Sequence, residues 1–299
     1  MSGRVQDASN TQSGCLHQGY FDSPDSQSSS IHCNFCRNCG FAFVSNGFMK
    51  RPRRFEHEFF DAATSSALLE SMSLKQHANR PTNDRLINAP LRRATVQCLA
   101  NLRDKTGVSQ ITFAKSLGIM DKFISENRVR DFDYNIIMVT AYNIASKLNE
   151  NESKVLSLAE ITYHFEDTLN LNEVQDWETK MLSALRWKID VVTAKEFAEL
   201  FLSFGVVGEL EVPKNQRSRN HVEVNLLLQC IDELVDYVLQ STCNEFGFHM
   251  FEPSQLAASA IALARLLVGL EHWSLDLQTI TRVTSAAIER CLPFLEVFI

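Results

Sequence analysis

Beyond the first 54 residues, apolar positions recur at intervals of three and four, which is the spacing of amphipathic helices. The pattern predicts helices over FEHEFFDAATSSALLESM (55–72), 91–104 and 109–126. A fourth helix has Asp133 as its predicted N-cap and ends near Asn149, where the chain becomes polar. Strand-like alternation is scarce, so the pattern indicates a helical protein.

Cap signals and apolar stretches extend this pattern to the end of the chain. Two capping boxes and a capping asparagine mark three further helix starts: Ser157 with Glu160, Thr193 with Glu196, and Asn170 or Asn172. After the polar loop PKNQRSRN come about three more helices, in HVEVNLLLQCIDELVDYVL, PSQLAASAIALARLLVGL and AAIERCLPFLEVF. The sequence therefore predicts an all-α fold of two helical bundles, over 55–192 and 193–299, joined by a short linker.

The first 54 residues have a different composition. Segments such as SPDSQSSS are small and polar, and they cannot bury enough apolar area to offset the entropy lost on ordering. We predict a disordered tail over 1–54. It ends in the basic run KRPRR, which suits nuclear import, a nucleic-acid contact or a merely solvated linker.

Composition narrows the class of protein. The net charge of −7 over 299 residues argues against a chain that mainly wraps nucleic acid, although local basic patches can override it. No run approaches the ~18 uninterrupted apolar residues that a membrane-spanning helix needs, and the N-terminus has no apolar signal core. These features predict an intracellular protein of the nucleus, the cytoplasm or both, with no membrane partner.

The cysteines offer one candidate metal site. Cys33, Cys36 and Cys39 form a C-x2-C-x2-C island in the predicted tail, but zinc requires four ligands and a second C-x2-C pair is absent. The pattern favours free thiols over a zinc site, and no cofactor is expected. No Ser/His/Asp grouping, H-E-x-x-H motif or Gly-rich phosphate loop occurs either, so the sequence predicts no catalytic site.

The helix that ends in VTAYNIASKLNE combines core and surface features. Ala141 and Ala145 are four residues apart, so they share one face and let a neighbouring helix approach closely. Ile144, Lys147 and Leu148 share another face near the C-terminal end, where a cation also suits the helix dipole. This arrangement predicts a central helix whose last turn reaches the surface.

A second helix has a comparable edge. Glu178 is followed by Leu182, Leu185 and Ile189 at helical spacing, which gives a charge flanked by an apolar stripe. Such an edge is typical of a partner-binding surface. A lysine at a helix end and a glutamate in a first turn are also common surface residues, so spacing alone leaves both interpretations open.

Four segments in order resemble the cyclin box: LRRATVQCL, SLGIMDKFIS, ASKLNE and WETKMLSALRW. The resemblance covers roughly residues 90 to 205, and PSQLAASAIALARLLVG followed by CLPFL is similar to the second, weaker cyclin fold. It implies two tandem cyclin-fold bundles, the second degenerate. The subfamily stays open between G1-like, atypical and meiotic cyclins.

The resemblance also implies roles for individual positions. The cyclin lysine and glutamate that contact the partner kinase fall on Lys147 and Glu178. The apolar positions that pack on the same kinase helix fall on Ile144, Leu148, Leu182, Trp187 and Ile189. The family's internal salt bridge falls on Arg92 and Asp121, and its substrate-docking patch, degenerate here, falls on Leu91, Thr95 and Cys98.

Three functions are compatible with these features. The resemblance implies a regulatory subunit, without chemistry of its own, that binds and activates a cyclin-dependent protein kinase, in cell-cycle or meiotic control. An adaptor similar to transcription factor IIB would instead bind DNA; net acidity and the missing second cysteine pair argue against it. The third is a scaffold that keeps the fold without activating a kinase.

Overall fold

The computed structural model describes residues 62–78, 81, 83–165, 169–208, 211 and 221–298, together with the backbone of three short strands nearer the N-terminus. Its helices are α1 (Ala62–Ala78), α2 (Ala89–Thr106), α3 (Gln110–Glu126), α4 (Tyr134–Asn149), α5 (Leu158–Tyr163), α6 (Leu171–Ala184), α7 (Ala194–Phe204), α8 (His221–Cys243), α9 (Pro253–Leu267), α10 (Leu275–Thr281) and α11 (Ser285–Leu295). The predicted all-α class is confirmed.

The first bundle is built around α4. This helix contacts α2, α3 and α6, and Ile137, Ala141 and Ala145 on it are fully buried. The two alanines lie one turn apart, so they keep the helix narrow where its neighbours pack. The predicted central helix is therefore confirmed, and it fixes the position of the polar turn at its end.

The second bundle is likewise built around a central helix, α9, with small residues where its neighbours pack. This helix packs on α7, α8 and α11, and its buried face is rich in alanine, including Ala257, Ala260 and Ala264. Over the described residues 221–298 the structure has four α-helices rather than about three. The additional helix, α10, has only seven residues, which is too short for helical periodicity to be recognised, although Ser274 caps its start.

Most predicted helix starts are confirmed. The side chains of Ser109 and Asn170 cap α3 and α6, and both capping boxes are formed. The prediction for Asp133 is wrong in one respect, because its carboxylate makes no cap hydrogen bond to α4. It binds the Arg130 guanidinium instead, with Nε to Oδ2 at 2.9 Å.

One helix start and one helix end differ from the pattern. Helix α2 begins at Ala89, two residues before the predicted start, because the Asn88 side chain caps it and Pro90 fits the first turn. Helix α1 continues past Met72 to Ala78. The first residues of its predicted range, 55–61, lie outside the described residues.

A small antiparallel sheet accompanies the helices. Its strands β1 (Asn34–Phe35), β2 (Ala42–Phe43), β3 (Phe48–Lys50) and β4 (Val207–Gly208) pair in that order, with Phe48 opposite Gly208. The structure thus gives strand backbone at seven positions where the sequence predicts a tail. The rest of that segment, with Cys33, Cys36 and Cys39, lies outside the described residues, and the predictions for it stay predictions.

The two bundles have separate hydrophobic cores. One is formed by buried residues between Ile87 and Val191, and the other is formed mainly by buried residues from Val192 onward, joined by Leu69 and Met72 of α1. Among the described helices, none combines the length and apolar character needed to cross a membrane.

Candidate functional site

The last turn of α4 carries Lys147 to the surface. The helix is buried from Ile136 through Ser146, and the Lys147 side chain is 47% exposed. Its charge lies near the C-terminal end of the helix dipole, which favours a cation. The buried body of α4 therefore holds an exposed ammonium group in a defined place.

Lys147 and Glu178 are adjacent in space. Lys147 Nζ lies 2.8 Å from Oε1 and 2.9 Å from Oε2 of Glu178, which comes from α6 and is 20% exposed. Asn143, one turn before Lys147, donates from Nδ2 to Glu178 Oε2 at 2.9 Å. The carboxylate is therefore held by two donors from one helix, so its orientation is fixed.

Asn143 was missed by the sequence reasoning, although a signal for it exists. It is almost fully buried, and it lies four residues before Lys147 on the same helix face. A buried amide needs a hydrogen-bond partner. Asn143 and Lys147 lie on one face of α4. A carboxylate that is paired with Lys147 is therefore within reach of Asn143 as well.

The residues after Lys147 anchor the end of α4. The Glu150 carboxylate accepts from the Ser109 amide at 2.8 Å and from the Thr112 hydroxyl, and Asn149 Nδ2 donates to Thr112 Oγ1 at 2.8 Å. These bonds tie the end of α4 to the start of α3. The whole ASKLNE segment thus contributes to the placement of Lys147.

The predicted apolar contacts divide into accessible and buried positions. Leu148 is 53% exposed and Trp187 is 70% exposed, while Leu182 and Ile189 are half-buried. Ile144, which the resemblance gives as a contact position, has almost no exposed surface. It is only 3% exposed and packs in the core of the first bundle, because α4 is surrounded by helices.

The turn after α6 fixes Trp187 outside the core. The Trp187 amide donates to the Leu182 carbonyl at 2.9 Å and the Arg186 amide donates to the Ser183 carbonyl at 3.1 Å, which is the Schellman pattern of helix termination. Arg186 and Trp187 have φ angles of 52° and 60°, in the left-handed region that non-glycine residues seldom adopt. Such local strain is common at functional sites.

The predicted salt bridge between Arg92 and Asp121 exists, and it is part of a larger cluster. Arg92 Nε and Nη2 each donate to Asp121 at 2.8 Å, and both side chains are almost fully buried. Arg92 Nη1 also donates to the Cys243 carbonyl at 2.9 Å, and His249 Nε2 lies 2.8 Å from Asp121 Oδ2. The pair therefore joins the first bundle to the second.

Electrostatic interactions keep the Asp121 carboxylate charged. Burial disfavours the ionised form of Asp121, but the charge of Arg92 and the bond to His249 outweigh it and hold the pKa of Asp121 well below its usual range. The nearby Cys243 thiol has the opposite shift, because burial raises its pKa to about 11. Sequence reasoning missed His249, which is 128 residues from Asp121.

The degenerate substrate-docking positions lie on α2. Thr95 is buried, and its hydroxyl donates to the Leu91 carbonyl at 2.8 Å, so it offers no surface group. Leu91 is half-buried and Cys98 is exposed. Their use as a docking patch stays a prediction. Within the described residues, no group of histidine, cysteine and carboxylate side chains is arranged to hold a metal ion.

Comparisons with protein families match both bundles. The family model described as "Cyclin, N-terminal domain" matches residues 63–190, and that described as "Cyclin, C-terminal domain" matches residues 216–299. Cyclin-A2-1 of Arabidopsis thaliana is 24% identical over 245 residues, covering 79% of this chain and 52% of the relative. G2/mitotic-specific cyclin-B2 of Homo sapiens is 23% identical over 198 residues, covering 66% of this chain and 44% of the relative.

A solved structure has the same fold. A viral cyclin from herpesvirus saimiri superimposes with a TM-score of 0.60 at 14% identity, covering 77% of this chain and 96% of the viral one. This likeness concerns the fold alone, because the sequence identity is low. The chain spans about half the length of the curated relatives that it matches.

Proposed function

This chain belongs to the cyclin family, and we propose that it is a regulatory subunit that binds and activates a cyclin-dependent serine/threonine protein kinase. The observation that carries the proposal is the Lys147–Glu178 pair, placed by two helices at an accessible edge of the first bundle. The pair falls on the two positions that contact the kinase in the cyclins that this sequence resembles.

The pair has the properties of a recognition element rather than of a stabilising one. Exposed ion pairs contribute about 0–1 kcal/mol to folding, because water already solvates both charges. Glu178 is nonetheless oriented by Asn143 and Lys147 together. A carboxylate held in this way can accept a partner's backbone N–H, and the lysine can donate to a partner's carbonyl, without further loss of side-chain entropy.

Exposed apolar surface accompanies the charges. Trp187 and Leu148 extend into solvent, with Leu182 and Ile189 half-buried on the same helix and turn as Trp187. Full burial of a large apolar side chain is worth roughly 1.5–3 kcal/mol. We therefore assign most of the binding energy to these side chains, with Trp187 as the anchor, and orientation to the two charges. Ile144 is left out of this contact set because it has little surface to offer.

In this proposal the chain carries out no reaction itself and acts by holding the kinase in its active conformation. A kinase transfers a phosphoryl group once its own lysine–glutamate pair and its metal ions are in place. A partner that binds the active arrangement more tightly than the inactive one shifts the kinase toward it. Control of the cell cycle or of meiosis, which the resemblance implies, belongs to this proposal, as does action in the nucleus or the cytoplasm, which the sequence predicts.

Co-purification tests the proposal directly. The double variant Lys147→Ala/Glu178→Ala should no longer recover a co-expressed cyclin-dependent kinase, while its helical circular dichroism stays that of the wild type. The matched control is Arg93→Ala/Glu245→Ala, which removes another exposed ion pair, between α2 and the segment after α8, in which Arg93 Nη2 lies 2.6 Å from Glu245 Oε1. This control should bind normally.

Two outcomes would revise the proposal. Undiminished kinase recovery by the Lys147/Glu178 double variant would show that the interface lies elsewhere. Recovery of a kinase that stays inactive toward a serine/threonine peptide would favour a scaffold over an activator.

A further inference from the structure

A cavity lies where the two bundles and their linker meet. Its volume is about 140 Å³ and it is partly open to solvent. Its apolar wall comes from α3, the linker, α8, α9 and the segment between α8 and α9: Leu117, Val191, Leu239, Phe248, Phe251 and Leu256. Both bundles therefore contribute to one apolar space, which the proposed kinase-binding site does not use.

The polar side of the cavity offers no unpaired charge. Arg92, Asp121 and His249 line it, and they are bonded to one another or to the Cys243 carbonyl. Lys195 and Glu245 also line it, and they form ion pairs with Asp236 and Arg93. The Cys243 thiol also lines it and donates to the Leu239 carbonyl at 3.3 Å. A charged ligand would lose its hydration there without gaining a free partner, so the cavity selects uncharged molecules.

Size and wall chemistry narrow the ligand further. In another protein, an engineered apolar cavity of about 150 Å³ lined by leucine, isoleucine and phenylalanine binds benzene. The present cavity is similar in volume and has two phenylalanine rings in its wall, with centroids 6.2 Å apart. Aromatic side chains favour edge-to-face and offset packing with another ring. We propose that this cavity binds a small, uncharged molecule with a single aromatic ring.

Binding at this place would affect the junction between the bundles. The ligand would contact side chains from both bundles at once, and it would be released when they separate. A ligand that binds only the assembled form stabilises it. The cavity would thus act as a site through which a small molecule strengthens the association of the two bundles.

Fluorobenzene is a suitable probe of the whole chain. Its ¹⁹F NMR signal should shift and broaden saturably with wild-type protein, and the melting temperature should rise with probe concentration. Ala114→Leu adds bulk to a residue that lines the cavity and should weaken binding at least tenfold. The matched control Ala286→Leu lies on the exposed face of α11 and should bind as the wild type does.

A second measurement does not depend on the variant's folding. In methyl NMR spectra of the wild type, fluorobenzene should shift the signals of Leu117, Val191, Leu239 and Leu256 and leave distant methyl groups unchanged. Lack of saturation, equal binding by Ala114→Leu, or shifts spread over other methyl groups would overturn the proposal. None of these readouts involves a kinase, so failure here is distinct from failure of the proposed function.

Discussion

Removal of the Arg92 guanidinium tests whether the Arg92–Asp121 pair is the main polar link between the bundles. Arg92→Met keeps much of the side-chain stem but removes both bonds to Asp121 and the bond to the Cys243 carbonyl. It also removes the cation from the Phe246 ring, whose centroid lies 5.4 Å from the guanidinium carbon. Among the described residues, Asp121 would then keep its side-chain bond to His249 alone.

The size of the effect follows from burial. Asp121 is 0% exposed, and loss of one partner of a buried ion pair typically costs about 3–5 kcal/mol, because the remaining charge is uncompensated. For a chain of this size roughly 2–4 °C of melting temperature is lost per kcal/mol, so we expect a decrease of roughly 6–20 °C. Arg92→Met/Asp121→Leu removes both charges and should be more stable than Arg92→Met alone.

The pH dependence has a definite sign. In the wild type the pKa of Asp121 is below its unfolded value, so its stabilising contribution is complete above that value and is lost as the pH falls. In Arg92→Met, burial acts without the opposing arginine charge and should raise the pKa of Asp121. The variant can then relieve its buried charge by protonation, so the stability difference from the wild type should shrink between pH 7 and pH 4.

Urea unfolding followed by circular dichroism at several pH values measures the free energy of unfolding of the wild type, of Arg92→Met and of the double variant, and its dependence on pH. Three results would contradict the reasoning: a cost below about 1 kcal/mol for Arg92→Met, a cost that does not change with pH, or a double variant no more stable than Arg92→Met.

Three further predictions concern other parts of the chain. In Gly118→Ala the new Cβ would lie 2.6 Å from Val191 Cγ1 at the linker. We therefore expect the free energy of unfolding, measured by thermal unfolding, to fall by about 1–3 kcal/mol. An unchanged or higher melting temperature would contradict the close contact. Burial raises the pKa of the Cys243 thiol to about 11, so Cys243 should react with iodoacetamide at pH 8 much more slowly than the exposed Cys98. Peptide mass spectrometry follows both reactions, and equal rates would show that the Cys243 thiol is accessible. Lys147→Ala alone should cost less than about 1 kcal/mol in urea unfolding, and a larger cost would assign the pair a structural role.

The sequence predicts the helices and their core faces well, because helical spacing and caps are local. Ala141 and Ala145 identify the central helix, and Thr193 with Glu196 identifies the start of the second bundle. The adjacency of Lys147 and Glu178 required the family resemblance, since spacing within one helix says nothing about another helix.

Other features depend on tertiary packing and have no local signal. His249 reaches Asp121 from a turn of the second bundle, and no periodicity connects the two. The helix end at Arg186 has no glycine to mark its left-handed backbone, so the outward position of Trp187 could not be derived from the pattern. Ile144 shows the reverse case, because a residue can share a helix face with an exposed lysine and still be covered by a neighbouring helix.

Two ion pairs of the first bundle, Arg92–Asp121 and Lys147–Glu178, should have opposite effects on stability and on binding. The side chains of Arg92 and Asp121 are almost fully buried, so loss of this pair should lower the free energy of unfolding strongly. The exposed Lys147–Glu178 pair is solvated when the chain is alone and becomes desolvated only if a partner covers it. Arg92 variants studied below their melting temperature should therefore retain kinase binding, whereas Lys147 variants should lose binding while they keep their stability. If stability and binding decreased together across both sets, the two pairs would have to act through a shared displacement of α4, which contacts α2, α3 and α6 alike.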